Sequence, residues 1–309
     1  MKCLVAVVGP TAVGKSRLGI SIAKQFDGEI VNADSRQIYR YMDIGTAKPG
    51  REERDAVPHR MLDIILPDQF YSLALYQEAA LSCISDIQER EKLPVLVGGS
   101  GQYVWSVLEG WRIPAVAPDQ DFRDCMMRRA ENDGVSSLYH ELEKIDPASA
   151  GGMSPNNLRR VVRALEIYHV TGLLPSSLRG KYGLQYPVLI LGLTAGRQQL
   201  YSLIDKRAER MVEAGFIQEV KELLEMGYHT DLPSMSSLGY RQIADHLAGR
   251  IILQEAIQSI KFETHRFARG QYAWFRPSDA RISWFNTRDL SPDAAMQTIS
   301  RFLQTAGQV

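Results

Sequence analysis

The chain has 309 residues, 45% of them hydrophobic, and its 36 basic and 36 acidic side chains cancel to a formal charge of zero. That length suits two domains, or one large α/β domain carrying an insertion, and the composition builds an ordinary core, which excludes a disordered tail. Zero net charge gives no global attraction to nucleic acid and leaves any such partner to local basic clusters.

Cys3, Cys83 and Cys125 are scattered and odd in number, with no C-x-x-C pair. They propose neither a zinc site nor a disulfide frame and fit a reducing compartment. The first apolar run, Cys3 to Val8, stops at Gly9-Pro10, too soon for a signal-peptide core, and no run approaches a membrane span. A cytoplasmic protein without a membrane partner is expected.

In chain order, Val5 to Val8 is continuous and β-branched, as a buried parallel strand requires. It feeds GPTAVGKS, Gly9 to Ser16, which matches the phosphate-binding loop G-x-x-x-x-G-K-[ST]. With a strand before it and a helix after it, to about Phe26, such a loop turns backbone N–H groups onto an anion. Gly9, Pro10, Thr11, Ala12, Val13 and Gly14 form the cradle, Lys15 adds a point charge, and the Ser16 hydroxyl suits Mg²⁺. Glu29 to Ala33 is a second strand that ends at Asp34. Leu73 to Glu91 reads as a helix with Ser72 as its N-cap. Leu93 to Gly99 is a third strand and runs into Ser100.

From about Pro118 to Gly180 the pattern is helical. Around Asn157 to Thr171, Leu158, Val161, Val162, Leu165 and Tyr168 form an apolar stripe, with Arg159, Arg160 and Arg163 off it. Pro187 to Leu193 is a fourth strand, and Arg281 to Phe285 a last one. Strands alternating with helices predict an α/β fold with a parallel sheet flanked by helices, of the P-loop NTPase type, carrying an all-helical insertion subdomain. The expected division is 1–114 and 187–309 for the core and 115–186 for the insertion, entered through Trp111 to Asp119 and left through Lys181 to Pro187.

The loop alone does not say which phosphate it holds. A triphosphatase usually adds a carboxylate at a strand end to complete a metal site. The third strand ends in Gly98-Gly99-Ser100 and no acid follows the fourth, so Asp34 is the best strand-end carboxylate. Asp34 either caps a following helix or takes part in chemistry, and Ser100 is either a turn residue or a substrate contact. Residues 156–181 hold Arg159, Arg160, Arg163, Arg179 and Lys181 against Glu166 alone. Residues 261–276 hold Lys261, Arg266, Arg269 and Arg276 against Glu263, interleaved with Phe262, Phe267, Tyr272, Trp274 and Phe275. Either patch suits a phosphate backbone with stacked bases, or a solvated helix face over an aromatic stripe. Gly239 to Gln242 either reaches a ligand or simply starts a helix. His59, His229 and His265 lack metal-ligand spacing and read as structural or solvent-facing.

Taken together, GPTAVGKS, NADSRQIYRYMDIGTAKP, VPHRMLDI, LPVLVGGSGQYVWSVLEG, NLRRVVRALEIYHVTG, SSLGYRQI and FARGQYAWFR resemble the bacterial tRNA dimethylallyltransferases, in family order from about residue 5 to residue 276. The segment DSRQIYRYMDIGTAKP is the most specific of these. The resemblance implies a dimethylallyl transfer from dimethylallyl diphosphate to N6 of adenosine 37, in tRNAs reading codons that start with U. It further implies N6-(dimethylallyl)adenosine and diphosphate as products and Mg²⁺ as the cofactor; a monomer is expected. It implies Asp34 as general base and Ser100 as a hydroxyl at the reacting end, where the family has Thr. It places Gly9 to Ser16 and Arg207 on the diphosphate, and Asp34, Ser35, Arg36, Gln37, Ser100, Arg123, Arg159, Arg160 and Arg163 on the tRNA. Three positions depart from the family pattern: His265 for Arg, Gly270 for a basic residue and Ala273 for Thr. A P-loop small-molecule kinase, and a non-catalytic RNA-binding protein on the same fold, are the alternatives.

Overall fold

The apolar runs pair into one parallel sheet in the computed structural model, which describes residues 2–114, 116–288 and 292–306. Its strands are β1 (Leu4–Val8), β2 (Gly28–Asn32), β3 (His59–Arg60), β4 (Leu93–Val97), β5 (Val188–Thr194) and β6 (Ile282–Asn286). Their order is β3-β2-β4-β1-β5-β6, and every pairing is parallel. β1, β2 and β4 are buried along their whole length, so they lack polar alternation. The expected strands are present with ends shifted by one or two residues. The two-residue edge strand β3 was not expected, since His59-Arg60 forms no apolar run; backbone pairing with β2 makes it.

Contacts divide the chain into two compact units. One runs to Leu108 and resumes at Leu184; the other is Glu109–Gly183. Ala115, at the expected boundary, and residues 1, 289–291 and 307–309 lie outside the described residues.

In the first unit, α1 (Lys15–Gln25), α2 (Arg51–Ala56), α3 (Leu73–Glu89) and α4 (Gly101–Leu108) follow the early strands. Leu18 and Ile22 of α1 join Val5, Val7, Val95 and Val97 in the core. Ser72 caps α3 as expected, its Oγ accepting the Leu75 N–H at 3.1 Å. The second unit holds α5 (Gln120–Asp133), α6 (Val135–Ile145), α7 (Pro147–Gly151) and α8 (Leu158–Thr171). The α8 stripe buries Val161, Val162 and Leu165 beside Leu138 and Leu142, while Tyr168 is exposed. Helix stops sooner than the expected Gly180, because Gly172 takes a left-handed conformation at the end of α8. After β5 come α9 (Arg197–Glu213), α10 (Phe216–Glu225), α11 (Tyr240–Leu247), α12 (Leu253–Trp274) and, past β6, α13 (Pro292–Ala306).

Between β2 and α3 the backbone is mostly irregular, and buried polar side chains hold it. Glu219 of α10 accepts N–H bonds from Asp43 (2.9 Å), Ile44 (2.6 Å) and Gly45 (3.1 Å), and the Tyr240 hydroxyl at 2.7 Å. The Lys48 ammonium is fully enclosed, donating to the Tyr39 carbonyl and pairing with Asp43 and Asp63. Gln37 donates to the carbonyls of Thr46 and Ala47. These bonds replace a regular ladder, so the segment has one conformation without secondary structure. Glu219→Ala removes the acceptor for four donors at once. It should lower unfolding free energy by about 3 kcal/mol in urea titration; a change under about 0.5 kcal/mol would show that water replaces the carboxylate there.

Candidate active site

Ligands of open parallel sheets bind beyond the carboxyl ends of the strands, where neighbouring strands lead their chains apart. Here those ends present the loops after β1, β2 and β4. Gly14 caps α1 at φ +89°, a left-handed conformation, and Ala12 is left-handed at φ +68°. Alternating hand of this kind turns successive N–H groups to one side and forms an anion nest.

Lys15 donates from Nζ to the Pro10 carbonyl at 2.7 Å. Burial pulls its pKa down to about 8; the Asp34 charge opposes the shift and Arg207 adds to it. Burial likewise lowers Arg207, on α9, with Asp34 acting in the other direction. Two cations and one carboxylate therefore meet in a half-buried site. Thr11 differs from the expected anion donor: its N–H donates to Gln271 Oε1 at 2.8 Å. Gln271 Nε2 donates in turn to the Gly99 carbonyl at 2.9 Å. A Cβ at Gly99 would stand 2.4 Å from that nitrogen, so a side chain there would push the Gln271 amide off its bond. Gln271 lies among the positions that depart from the family pattern, between Gly270 and Ala273, and its buried place on α12 ties the phosphate loop to the β4–α4 turn.

Asp34 does not cap a helix. It opens a turn whose Arg36 N–H donates to Asp34 Oδ1 at 2.9 Å, and the next helix begins at Arg51. Asn32 shapes this turn, accepting the Asp34 N–H and donating to the carbonyls of Asp34 and Met61. Asp34 Oδ2 has no hydrogen-bond partner among the described residues. Ser100 Oγ accepts the Ser35 N–H at 2.9 Å and lies 3.2 Å from Ser35 Oγ, so it braces the loop that carries Asp34. Arg36 reaches Pro233 and Ser236 in the loop before α11.

A cavity of about 640 Å³ opens beside these groups, lined among others by Asp34, Ser100, Tyr103, Arg207, Phe267 and Trp274. A second, of about 50 Å³, holds Lys15, Ser16, Asn32 and His59, and again Asp34 and Arg207. Asp34 and Arg207 thus stand where a phosphate compartment meets a larger, partly aromatic one. Gln37, expected at RNA, is buried and bonded to the 46–47 backbone.

In the second unit Arg159 and Arg160 are exposed on α8, with no side-chain partner among the described residues. Arg123 and Arg163 both pair with the buried Glu166, at 2.8 and 2.5 Å. Burial works to raise the Glu166 pKa, but Arg123 and Arg163 outweigh it and hold the carboxyl below its ordinary value. These two arginines therefore have a structural duty that their residue type did not announce. Of the altered positions, His265 stacks on Tyr201 at 4.0 Å and sets Nε2 2.8 Å from Asp205, linking α12 to α9, and Gly270 lines the large cavity.

Among the described residues no group of three or more His, Cys, Asp or Glu is arranged to hold a metal ion. The Ser16 hydroxyl and the Asp34 carboxylate fit a cation bound chiefly through a ligand's phosphates and its own waters, the usual habit of Mg²⁺. No helix among the described residues is long and apolar enough to cross a membrane.

Lys15 provides a pH test of the phosphate compartment. Below about pH 8 its ammonium is charged before an anion arrives, so Lys15 adds no pH dependence of its own. Above it, each binding event returns a proton to Lys15, and affinity for a diphosphate monoester, whose own ionisation is complete near neutral pH, should fall up to tenfold per pH unit. Calorimetry across pH 7 to 10 should show this slope in the wild type and lose it in Lys15→Met; an equal slope in both would separate Lys15 from the anion.

The family model for IPP transferase matches residues 37–278. A tRNA dimethylallyltransferase of Roseiflexus sp. (strain RS-1) is 53% identical over 273 residues, covering 88% of this chain and 90% of that protein. One of Dehalococcoides mccartyi is 45% identical over 99% of this chain and 94% of its own. Among solved structures, the full-length tRNA isopentenylpyrophosphate transferase of Bacillus halodurans superimposes with TM-score 0.71 at 40% identity, covering 99% of this chain and 97% of that one. A eukaryotic dimethylallyltransferase described as acting on tRNA gives 0.85 at 27% identity, over 99% and 80%. On sequence and fold alike, the chain belongs to the IPP transferase family.

Proposed function

We propose that this protein is a tRNA dimethylallyltransferase that alkylates N6 of adenosine 37, using dimethylallyl diphosphate. The observation that carries this reading is the place of Asp34, which lines both the compartment of Lys15 and Ser16 and the larger cavity. In the reaction the bond from C1 of the donor to its diphosphate oxygen breaks as the bond from C1 to N6 forms. Negative charge builds on the departing diphosphate, and the loop N–H groups, Lys15 and Arg207 oppose it. Mg²⁺, when bound, adds further neutralisation; Ser16 would hold it. The adenine amine is a weak nucleophile that sheds a proton as it is alkylated, and Asp34 Oδ2 is the acceptor for that proton.

A base inside an anticodon loop must leave its stack to reach such a site. The 640 Å³ cavity has room for an adenine, and Phe267, Trp274 and Tyr103 give it apolar walls. Arg159 and Arg160, exposed on α8, suit contacts to the phosphate backbone. A kinase is less well supported: Asp34 is the carboxylate at these strand ends, and one acid beside one hydroxyl makes a sparse metal site for a triphosphate.

Incubation with Mg²⁺, labelled dimethylallyl diphosphate and a tRNA with adenosines at 36 to 38 should place label on N6 of adenosine 37. Asp34→Asn keeps an oxygen for the Arg36 N–H but removes the base. It should lower turnover about 10²- to 10⁴-fold and leave tRNA affinity near normal. RNA bound by the wild type without label transfer would favour a binding protein, and phosphate transfer from ATP a kinase. Arg160→Ala should weaken tRNA binding and reduce its log–log salt slope by about one; an unchanged slope would remove Arg160 from the interface.

A further inference from the structure

His59 opens β3, with Nδ1 2.7 Å from the Val57 carbonyl oxygen. A carbonyl only accepts, so Nδ1 carries the proton, and the other nitrogen of the neutral ring presents a lone pair. Burial keeps the ring below its usual pKa, in the direction of the neutral form. Nε2 is sealed from solvent and has no hydrogen-bond partner among the described residues. A buried acceptor left in this way is disfavoured and uncommon in native proteins. The residue lines the 50 Å³ compartment with Ser16 and Asp34.

The lone pair restricts what can satisfy it. Phosphate oxygens of an ionised diphosphate carry no proton and would face Nε2 acceptor to acceptor. A hydrocarbon chain offers no donor at all. Neither the Lys15 ammonium, turned to the Pro10 carbonyl, nor the Arg207 guanidinium, which lines the same compartment, bonds to Nε2. Water held by a divalent cation is a strong, polarised donor, and Mg²⁺ retains several such waters. The compartment has space for roughly three or four waters. Its acceptors, the Ser16 hydroxyl, the Asp34 carboxylate and His59 Nε2, form one consistent set for a hydrated cation.

We propose that His59 is a positioning residue for the cation of the donor site, its Nε2 accepting a hydrogen bond from a water in the Mg²⁺ shell. It touches neither the diphosphate nor the reacting carbon. Its effect is to orient the hydrated ion, as outer-shell partners of metal sites do. The inference rests on the reading of this compartment as the donor site.

The test is the affinity for inorganic diphosphate with Mg²⁺ and with EDTA, measured calorimetrically on the full chain. In the wild type Mg²⁺ should tighten binding. His59→Leu should lose about tenfold of that enhancement while its EDTA affinity stays within about twofold of wild type. His59→Gln, which offers a carbonyl oxygen, should recover most of it. Retained enhancement in His59→Leu, or an equal loss with and without metal, would overturn the proposal and leave the donor-site reading standing. No enhancement in the wild type would overturn both. Should the Leu variant not fold, ¹⁵N-histidine spectra of the wild type decide: the Nε2 resonance should move with Mg²⁺ and diphosphate together and not with diphosphate alone. Movement with diphosphate alone, or no movement, would overturn the proposal.

Discussion

A single side-chain amide holds the phosphate end of this site together. Gln271 takes the Thr11 N–H on one atom and gives a hydrogen to the Gly99 carbonyl on the other, and it is buried while doing so. Three segments far apart in sequence, the β1–α1 loop, the β4–α4 turn and α12, are thereby fixed to one another. Both ends are desolvated, so each bond is costly to leave unmade, and the geometry is narrowly defined. Gly99 lets the amide approach, and the Trp105 indole donates to the Trp274 carbonyl at 2.9 Å, closing the same corner. A catalyst that stabilises a departing anion depends on donors fixed before the charge develops; Gln271 supplies that fixity and uses one loop N–H to do so.

The charge arrangement follows from this frame. Lys15 and Arg207 are both pushed toward neutrality by burial and both feel the Asp34 carboxylate. With no anion present, Asp34 is the counter-charge that makes two neighbouring cations tolerable. A bound diphosphate, as the proposed reaction requires, would give both cations a second anion. The irregular backbone from Asp34 to Lys48 stays in place through Asn32, Ser100, Glu219 and the enclosed Lys48, a set of polar anchors in place of a strand or helix.

Much of this was legible in the chain. Continuous β-branched runs, the loop after β1 and the α8 stripe reflect local periodicity and turn chemistry, and they led to the parallel sheet, the phosphate loop and the helical unit. Asp34 as the strand-end acid also followed from spacing; its turn, as against a helix cap, did not, because that depends on Asn32 reaching across to Met61. The bonding roles of Gln271, Glu219 and Glu166 were not legible because each reaches partners distant in sequence. The available signal was a polar residue on the apolar face of an amphipathic helix: Glu219 among Phe216, Val220 and Leu223, Glu166 beside Val162 and Leu165. Glu166 also changes the meaning of two arginines that residue type alone assigns to RNA. The edge strand β3, and with it the buried lone pair of His59, had no periodic signal, since two residues define no period.

The most direct measurement of the central claim is a crystal structure of the protein with Mg²⁺, a non-hydrolysable thiolo analogue of dimethylallyl diphosphate and an anticodon stem-loop carrying adenosine 37. The account predicts the diphosphate on the loop from Gly9 to Ser16 with Lys15 and Arg207 beside it, and the everted adenine in the 640 Å³ cavity with N6 within hydrogen-bond reach of Asp34. A diphosphate bound away from the loop, or an adenine whose N6 faces away from Asp34, would contradict it.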